Sequence, residues 1–385
     1  MIRTSMFIAL RDLAFAKGRF ALMALVIALI AFLMTFLTGL AAGLIKNNIS
    51  GLMELDVSHI AFEFDDKPTY RNTMIEREQW EEWAEQPGVK QLEPMGHTVF
   101  TARTQRDDPL ELVLWGLEPG SLIEPEVYEG TQLGSVSNGV IVSKLLVERD
   151  GVQMGDTITL DRVLTELVVV GVSKERNIGH IPIIYAPLAK WQEATYGPPG
   201  GPAPGEQLPD VVFDFVSILA LQLEADVTPE QIAAIDDELG TSTLNRASFY
   251  AASTGYIEEV RTVQIIQVFL FLISAVVIGA FFSIWTIQRT KEIGLVKALG
   301  ASNGYLLRDA LGQALILMAI GVALGLSLGL WSGQAFMESG RPFMFESDKI
   351  VQAMTLLVTA GLLGGALSIR RITAVDPIIA LGQEQ

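Results

Sequence analysis

The sequence contains no cysteine, so it can form no disulfide, offer no thiolate to a metal and carry no thiol nucleophile. Histidine is nearly as scarce. The three present, His59, His97 and His180, are too far apart for a histidine-based zinc motif. Charge is thin as well: 18% of the residues are charged and 50% are apolar, which excludes both a disordered acidic chain and a wholly soluble enzyme. The net charge of −17 does not favour nucleic acid as a partner, because phosphate binding wants a basic face, and none is expected. No G-x-x-x-x-G-K-[ST] loop occurs, so the chain is not expected to bind ATP itself or to be an enzyme.

What it does have is long uncharged runs. Four, at 20–45, 263–287, 310–336 and 350–369, reach the length of about 20 residues that crosses a bilayer. The first follows Arg11, Lys17 and Arg19 and looks like a signal peptide, but its apolar run is too long for one and no convincing cleavage site follows. It reads as an uncleaved anchor. Basic residues set the orientation. Arg3, Arg11, Lys17 and Arg19 precede the first span, Arg289, Lys291, Lys297 and Arg308 lie between the second and third, and Arg370 and Arg371 follow the fourth. The 337–349 hairpin instead holds Glu338, Glu346 and Asp348 with Arg341 and Lys349. Both termini are therefore expected in the cytoplasm of a multi-pass plasma-membrane protein, with the region between the first two spans outside.

That region reads as a folded α+β domain. Strand-like runs at 111–117, 139–146, 156–160, 166–172 and 211–223 alternate or bury β-branched residues, with helical patterns at 76–85 and 229–239 between them. The Pro/Gly cluster at 197–205 marks a loop. The expected fold class is thus a membrane α-helical protein of four transmembrane helices with an extracytoplasmic α+β domain inserted between helices 1 and 2. Its layout is a lead at 1–19, first span and stalk at 20–54, domain at 55–252, stalk and second span at 253–287, an inner-face helix at 288–304, third span at 305–336, outer hairpin at 337–349, fourth span at 350–369 and tail at 370–385.

The inner-face segment TIQRTKEIGLVKALGAS (286–302) reads as a short amphipathic helix ended by Gly300. Its Arg289, Glu292, Ile293, Gly294, Ala298, Leu299, Gly300 and Ala301, and the tail's Asp376, Pro377, Ala380 and Leu381, are the pattern of the FtsX-like permeases, also called MacB-like. The run GVIVSKLLVERDGVQMGDTITL (139–160), read as strand–helix–strand, and the turn with Tyr185, Pro187 and Leu188 also resemble that family. The resemblance spans essentially the whole chain. It implies the permease subunit of a mechanotransmitting (type VII) ABC transporter: a permease homodimer with two copies of a cytoplasmic ATPase, gripped through Arg289, Glu292, Ile293, Gly294, Ala298, Leu299 and Gly300.

The opening run at 6–44 and TGYIEE with the run at 266–300 resemble the haem-exporting branch, which implies haem detoxification by efflux and no intrinsic cofactor. Haem would need an apolar slot, axial ligands and polar partners. Met34, Met23 and Met53 are the thioether candidates, and Glu54, Glu258, Glu259 and Tyr256 the oxygen candidates. On a straight helix from Arg19, Glu54 would stand about 52 Å up and Met34 about 22 Å, with Tyr256 about 48 Å up from Gln288. Two sites follow: Met34 pairs across a two-fold axis beside Phe32, Phe36 and the Gly39-x-x-x-Gly43 step, or a collar of Glu54, Tyr256 and Glu259. The three histidines are expected to be structural or solvated. Export of a lipid-like, lipoprotein or antimicrobial-peptide substrate, and FtsX-type regulation of an outside partner, are the alternatives.

Overall fold

The computed structural model of the chain describes residues 17–198, 202, 207–288, 294–295, 297 and 299–373. They divide into an α+β unit, Ile45–Glu259, and a helical unit comprising Met1–Leu44 and Val260–Gln385. Helix α1, Lys17–Glu54, runs from the second into the first. It is not a straight rod: Ile49 has φ −118° and ψ 15°, so the last turn kinks and the straight-helix height expected for Glu54 does not apply.

The α+β unit continues with β1 (His59–Glu63), β2 (Ile75–Glu76), α2 (Arg77–Ala84), β3 (Val89–Arg103), β4 (Pro109–Leu117) and β5 (Val127–Gly130). Next come β6 (Gly139–Ser143), α3 (Lys144–Asp150), β7 (Thr157–Leu160), β8 (Glu166–Ser173), β9 (Asn177–Ile178), β10 (Ile181–Pro187) and α4 (Leu188–Tyr196). It closes with β11 (Phe215–Val216), β12 (Ile218–Leu223), α5 (Pro229–Leu239), β13 (Thr241–Asn245) and α6 (Arg246–Phe249). The main sheet has the order β13-β1-β12-β3-β4-β10-β6-β8-β5, with β7 and β9 attached at its side. β3 joins its halves: Val89–Met95 pairs with β12, and Gly96–Arg103 with β4.

Both faces of this sheet are buried, which explains its near-continuous apolar strands. Along β4, Leu110, Leu112 and Leu114 enter one core while Val113, Trp115 and Leu117 enter the other. Trp80 and Trp83 of α2, Leu146 of α3 and Trp191 of α4 lie in the first core, while Ile49 and Leu52 of α1 lie in the second. Gly96 and Gly116 face each other across β3 and β4, and a Cβ on either would overlap Trp191. The two glycines make the flat bed on which that indole lies.

Local signals place the helices. Thr228 caps α5 in a reciprocal box with Gln231, Pro229 opens it, and Gly240 at φ 65° ends it. The run at 139–146 is not all strand: β6 stops at Ser143 and α3 begins at Lys144. The run at 211–223 is broken into a 3₁₀ turn at Asp210–Phe213, then β11 and β12. The break is polar, since the Ser217 hydroxyl accepts from the His97 N–H at 2.9 Å.

The helical unit adds α7 (Tyr256–Gln288, which starts in the α+β unit), α8 (Asn303–Glu338) and α9 (Ser347–Thr373). Among the described residues, three helical stretches are long and apolar enough to cross a membrane: Phe20–Glu54, Tyr256–Phe281 and Leu311–Glu338. The fourth expected span is a helix, α9, but Asp348, Lys349 and Gln352 dilute its first turns. Gly321, Gly325, Gly329 and Gly333 form a stripe one turn apart on α8. The first three lie against the α1 backbone or side chains from Ala24 to Thr35, the close approach that small residues allow between membrane helices.

The Gly39-x-x-x-Gly43 step is not the free wall expected between two copies. Phe343 of the same chain fills it, and the Met344 N–H donates to the Gly39 carbonyl at 3.0 Å. Phe36 packs its ring on those of Phe32, Phe336 and Phe343. After α7, Gly294, Leu295 and Lys297 are helical, and Gly300 turns the chain at φ 94°. Arg289, Glu292, Ile293 and Ala298, and the tail motif Asp376–Leu381, lie outside the described residues.

Candidate functional site

Met34 lines a groove of about 570 Å³ in the helical unit, between α1, α7 and α9. Its walls are mostly apolar, from Leu37, Leu270, Phe271 and Leu356, while Thr38, Gln264, Gln267, Lys349 and Gln352 supply the polar atoms. Sequence position orders them. The polar residues precede Phe271 on α7 and Leu356 on α9, and Thr38 follows Met34 on α1, so polarity gathers at one end. An apolar cavity with a few convergent polar groups is the form that ligand sites take. Met34 itself is 7% exposed. Met23 is buried in the helical core, and Met53 is exposed on the α+β unit.

The expected collar residues lie in the α+β unit, but they do not share one contact. Glu259 near the start of α7 accepts from Asn48 at 3.3 Å and lies 2.5 Å from His180 Nε2. The other ring nitrogen of His180, Nδ1, lies 2.8 Å from Asn47 Oδ1. Asn48 is fully buried and satisfied: it also donates to the Thr254 carbonyl at 3.3 Å and accepts from the Ser253 hydroxyl at 2.8 Å. Glu54 has a different partner, Arg176 Nη2 at 2.9 Å. Tyr256 packs partly buried against the second core, and Glu258 is exposed.

His180 is the residue that sequence reasoning misses. Gly179 and His180, at φ 58° and 65°, form the two-residue turn between β9 and β10. That is the primed hairpin turn, which favours Gly and Asn because both residues need positive φ. A histidine there is strained, and its imidazole is held by Asn47 of α1 and Glu259 of α7. The G-H dipeptide between two apolar runs is the available signal. Arg176 and Asn177 approach the same loop, and the Asn177 N–H donates to the Ser50 hydroxyl at 2.8 Å. The clasp ties the end of α1 to the start of α7 through one hairpin.

His97 has the structural role expected of it. It is buried, its Nδ1 accepts the Trp115 indole N–H at 3.0 Å, and burial, with Arg71 nearby, pushes its pKa down to about 3. His59 lies beside the Ser58 hydroxyl at 2.9 Å, and burial lowers its pKa. Among the described residues, no group of three or more His, Asp or Glu is placed to hold a metal ion.

A membrane protein with long apolar helices, an inserted α+β unit and an apolar groove is thus defined. Residues 265–377 match the FtsX-like permease C-terminal family, the family that the chain's motifs resemble. The chain is 24% identical over 375 residues, 97% of its length and 99% of the relative's, to a Staphylococcus haemolyticus protein that bears the name hemin transport system permease protein HrtB. A 97-residue stretch, 25% of this chain and 15% of the relative, is 34% identical to the macrolide export ATP-binding/permease protein MacB of Wolinella succinogenes. The periplasmic region of MacB from Actinobacillus actinomycetemcomitans aligns with 53% of this chain and 94% of its own at TM-score 0.37 and 11% identity.

Proposed function

We propose that the chain is the four-span permease subunit of an efflux transporter that takes haem from the membrane and releases it outward, driven by a separate ATPase. The observation that carries this reading is the Met34 groove: a soft thioether in an apolar slot with polar groups gathered at one end suits an iron-bearing amphiphile. The near-full-length similarity to a protein named for hemin transport supports haem over peptide or lipoprotein cargo. Met34 is the first proposed iron ligand, because Glu54 and Glu259 already have partners in Arg176 and His180.

In this reading both termini and the 288–304 segment face the cytoplasm, two permease copies pair, and each 288–304 segment docks on one of two ATPase subunits. ATP-driven closure moves α1 and α7, and the His180 clasp makes the ends of those helices act on the α+β unit together. Hemin added to the purified protein should give a protein-dependent Soret band that shifts in Met34→Ala. A spectrum identical to that of free hemin rejects haem as the cargo. Glu292→Lys should assemble with the ATPase yet lose stimulation of its activity by substrate, and unchanged stimulation would argue against docking there.

A further inference from the structure

The Met34 groove has one charged residue among its described lining, Lys349. It sits in the first turn of α9, at the end of the groove where Thr38, Gln264, Gln267 and Gln352 also gather. Its ammonium is held by Glu346 Oε2 at 2.5 Å, one turn away. The Glu346 side chain is 20% exposed and that of Lys349 50%, so the lysine reaches open space while its counter-ion is set back. A lysine whose counter-ion is set back, at the polar end of an otherwise apolar slot, is complementary to an apolar body with an anionic head. Neutral lipid tails would gain nothing from the lysine.

We propose that Lys349 reads the head group. The groove selects amphiphiles that carry a carboxylate, and binding exchanges the Glu346–Lys349 ion pair for a ligand–Lys349 pair. The apolar body lies along Met34, Leu270, Phe271 and Leu356, and the glutamine amides and Thr38 donate to the remaining carboxylate oxygens. The proposal rests on the groove being the cargo site, but not on the cargo being haem.

Titration of the full chain in detergent with four probes tests it: hemin, hemin dimethyl ester, a pyrene-labelled dodecanoic acid and the methyl ester of that acid. Lys349→Gln should weaken binding of each free acid roughly tenfold and leave its ester unchanged, a charge-assisted bond being the interaction lost. Lys349→Arg should restore the acids to within about threefold, since the charge is kept. Glu346→Gln should tighten the acids several-fold, because the lysine is then freed, whereas a merely structural ion pair would give no gain. Failure of hemin with acid-over-ester selectivity retained would remove haem and leave this proposal standing. Equal loss of acids and esters in Lys349→Gln, or no loss of either, overturns it, as does failure of all four probes to bind.

Discussion

His180 Nε2 and Glu259 Oε1 lie 2.5 Å apart, joining a two-residue hairpin turn to the first turns of a long helix 79 residues further on. The contact is made by a residue whose backbone is itself strained, at φ 65°. Strain of this sort persists only where surrounding contacts hold it, and here they are Asn47 and Glu259. Backbone and side chain can therefore be separated by substitution.

His180→Gly removes the imidazole and accepts the positive φ, while His180→Ala removes the imidazole and keeps the strain. The alanine variant should be less stable than the glycine variant by about 1 kcal/mol. Thermal midpoints of the full chain in detergent check this. Equal midpoints would mean that the turn does not hold its left-handed geometry in solution.

Glu259→Gln keeps the shape of the clasp and the Asn48 hydrogen bond but loses the charge opposite His180. If the clasp carries force between the ends of α1 and α7, the variant should still assemble with its ATPase and hydrolyse ATP. Hemin-stimulated hydrolysis should fall several-fold. The ratio of stimulated to basal ATPase in reconstituted vesicles is the measurement, and a ratio equal to that of the native protein would confine the clasp to stability.

The glycine stripe of α8 gives a prediction for the helical unit. A Cβ at Gly325 would stand 2.7 Å from Ala31 Cβ and 2.8 Å from the Phe32 nitrogen. Backbone cannot yield as a flexible side chain does, so Gly325→Val should cost at least about 1–3 kcal/mol by overpacking. At Gly312 on the same helix an added methyl would meet nothing within 4 Å, and Gly312→Ala should be near neutral. Detergent half-lives of the two variants compare them directly.

Much of the helical architecture is legible in the sequence, because long uncharged runs report membrane-length helices through the simplest of physical preferences. The strand–helix–strand segment at 139–160 is legible for a similar reason, with Gly151 at φ 66° ending α3. The longest strand, Val89–Arg103, is not, since Lys90, Gln91 and Glu93 interrupt its first half and its burial alternates only weakly there. The site divides the same way. Met34 stands out as a thioether in a span, yet the partners of Glu54 and Glu259 come from residues more than 75 positions away, which no local pattern reports. The Gly39–Gly43 step reads as a surface for a second copy, but sequence cannot tell a neighbour in the same chain, here Phe343, from one outside it.

His97 predicts how stability changes with pH. Its Nδ1 accepts the Trp115 N–H, so the folded ring is neutral, and burial holds its pKa at about 3. Tyr70 packs against it with ring centroids 5.3 Å apart, and Arg71 adds a repelling positive charge. In the unfolded chain the ring titrates near its ordinary pKa of about 6.5. Between those values only the unfolded state takes the proton. The histidine's contribution is therefore complete above pH about 6.5 and is lost as pH falls toward 3, by up to about 1.4 kcal/mol per pH unit. His97→Gln should be destabilised at pH 7, where the Trp115 N–H depends on a good acceptor, by about 1–3 kcal/mol. Because the glutamine does not titrate, that deficit should shrink as the pH is lowered from 6.5 to 4, other titrations cancelling in the comparison. Parallel unfolding curves for the two proteins across this range, with a constant gap, would show that His97 is not held neutral by burial.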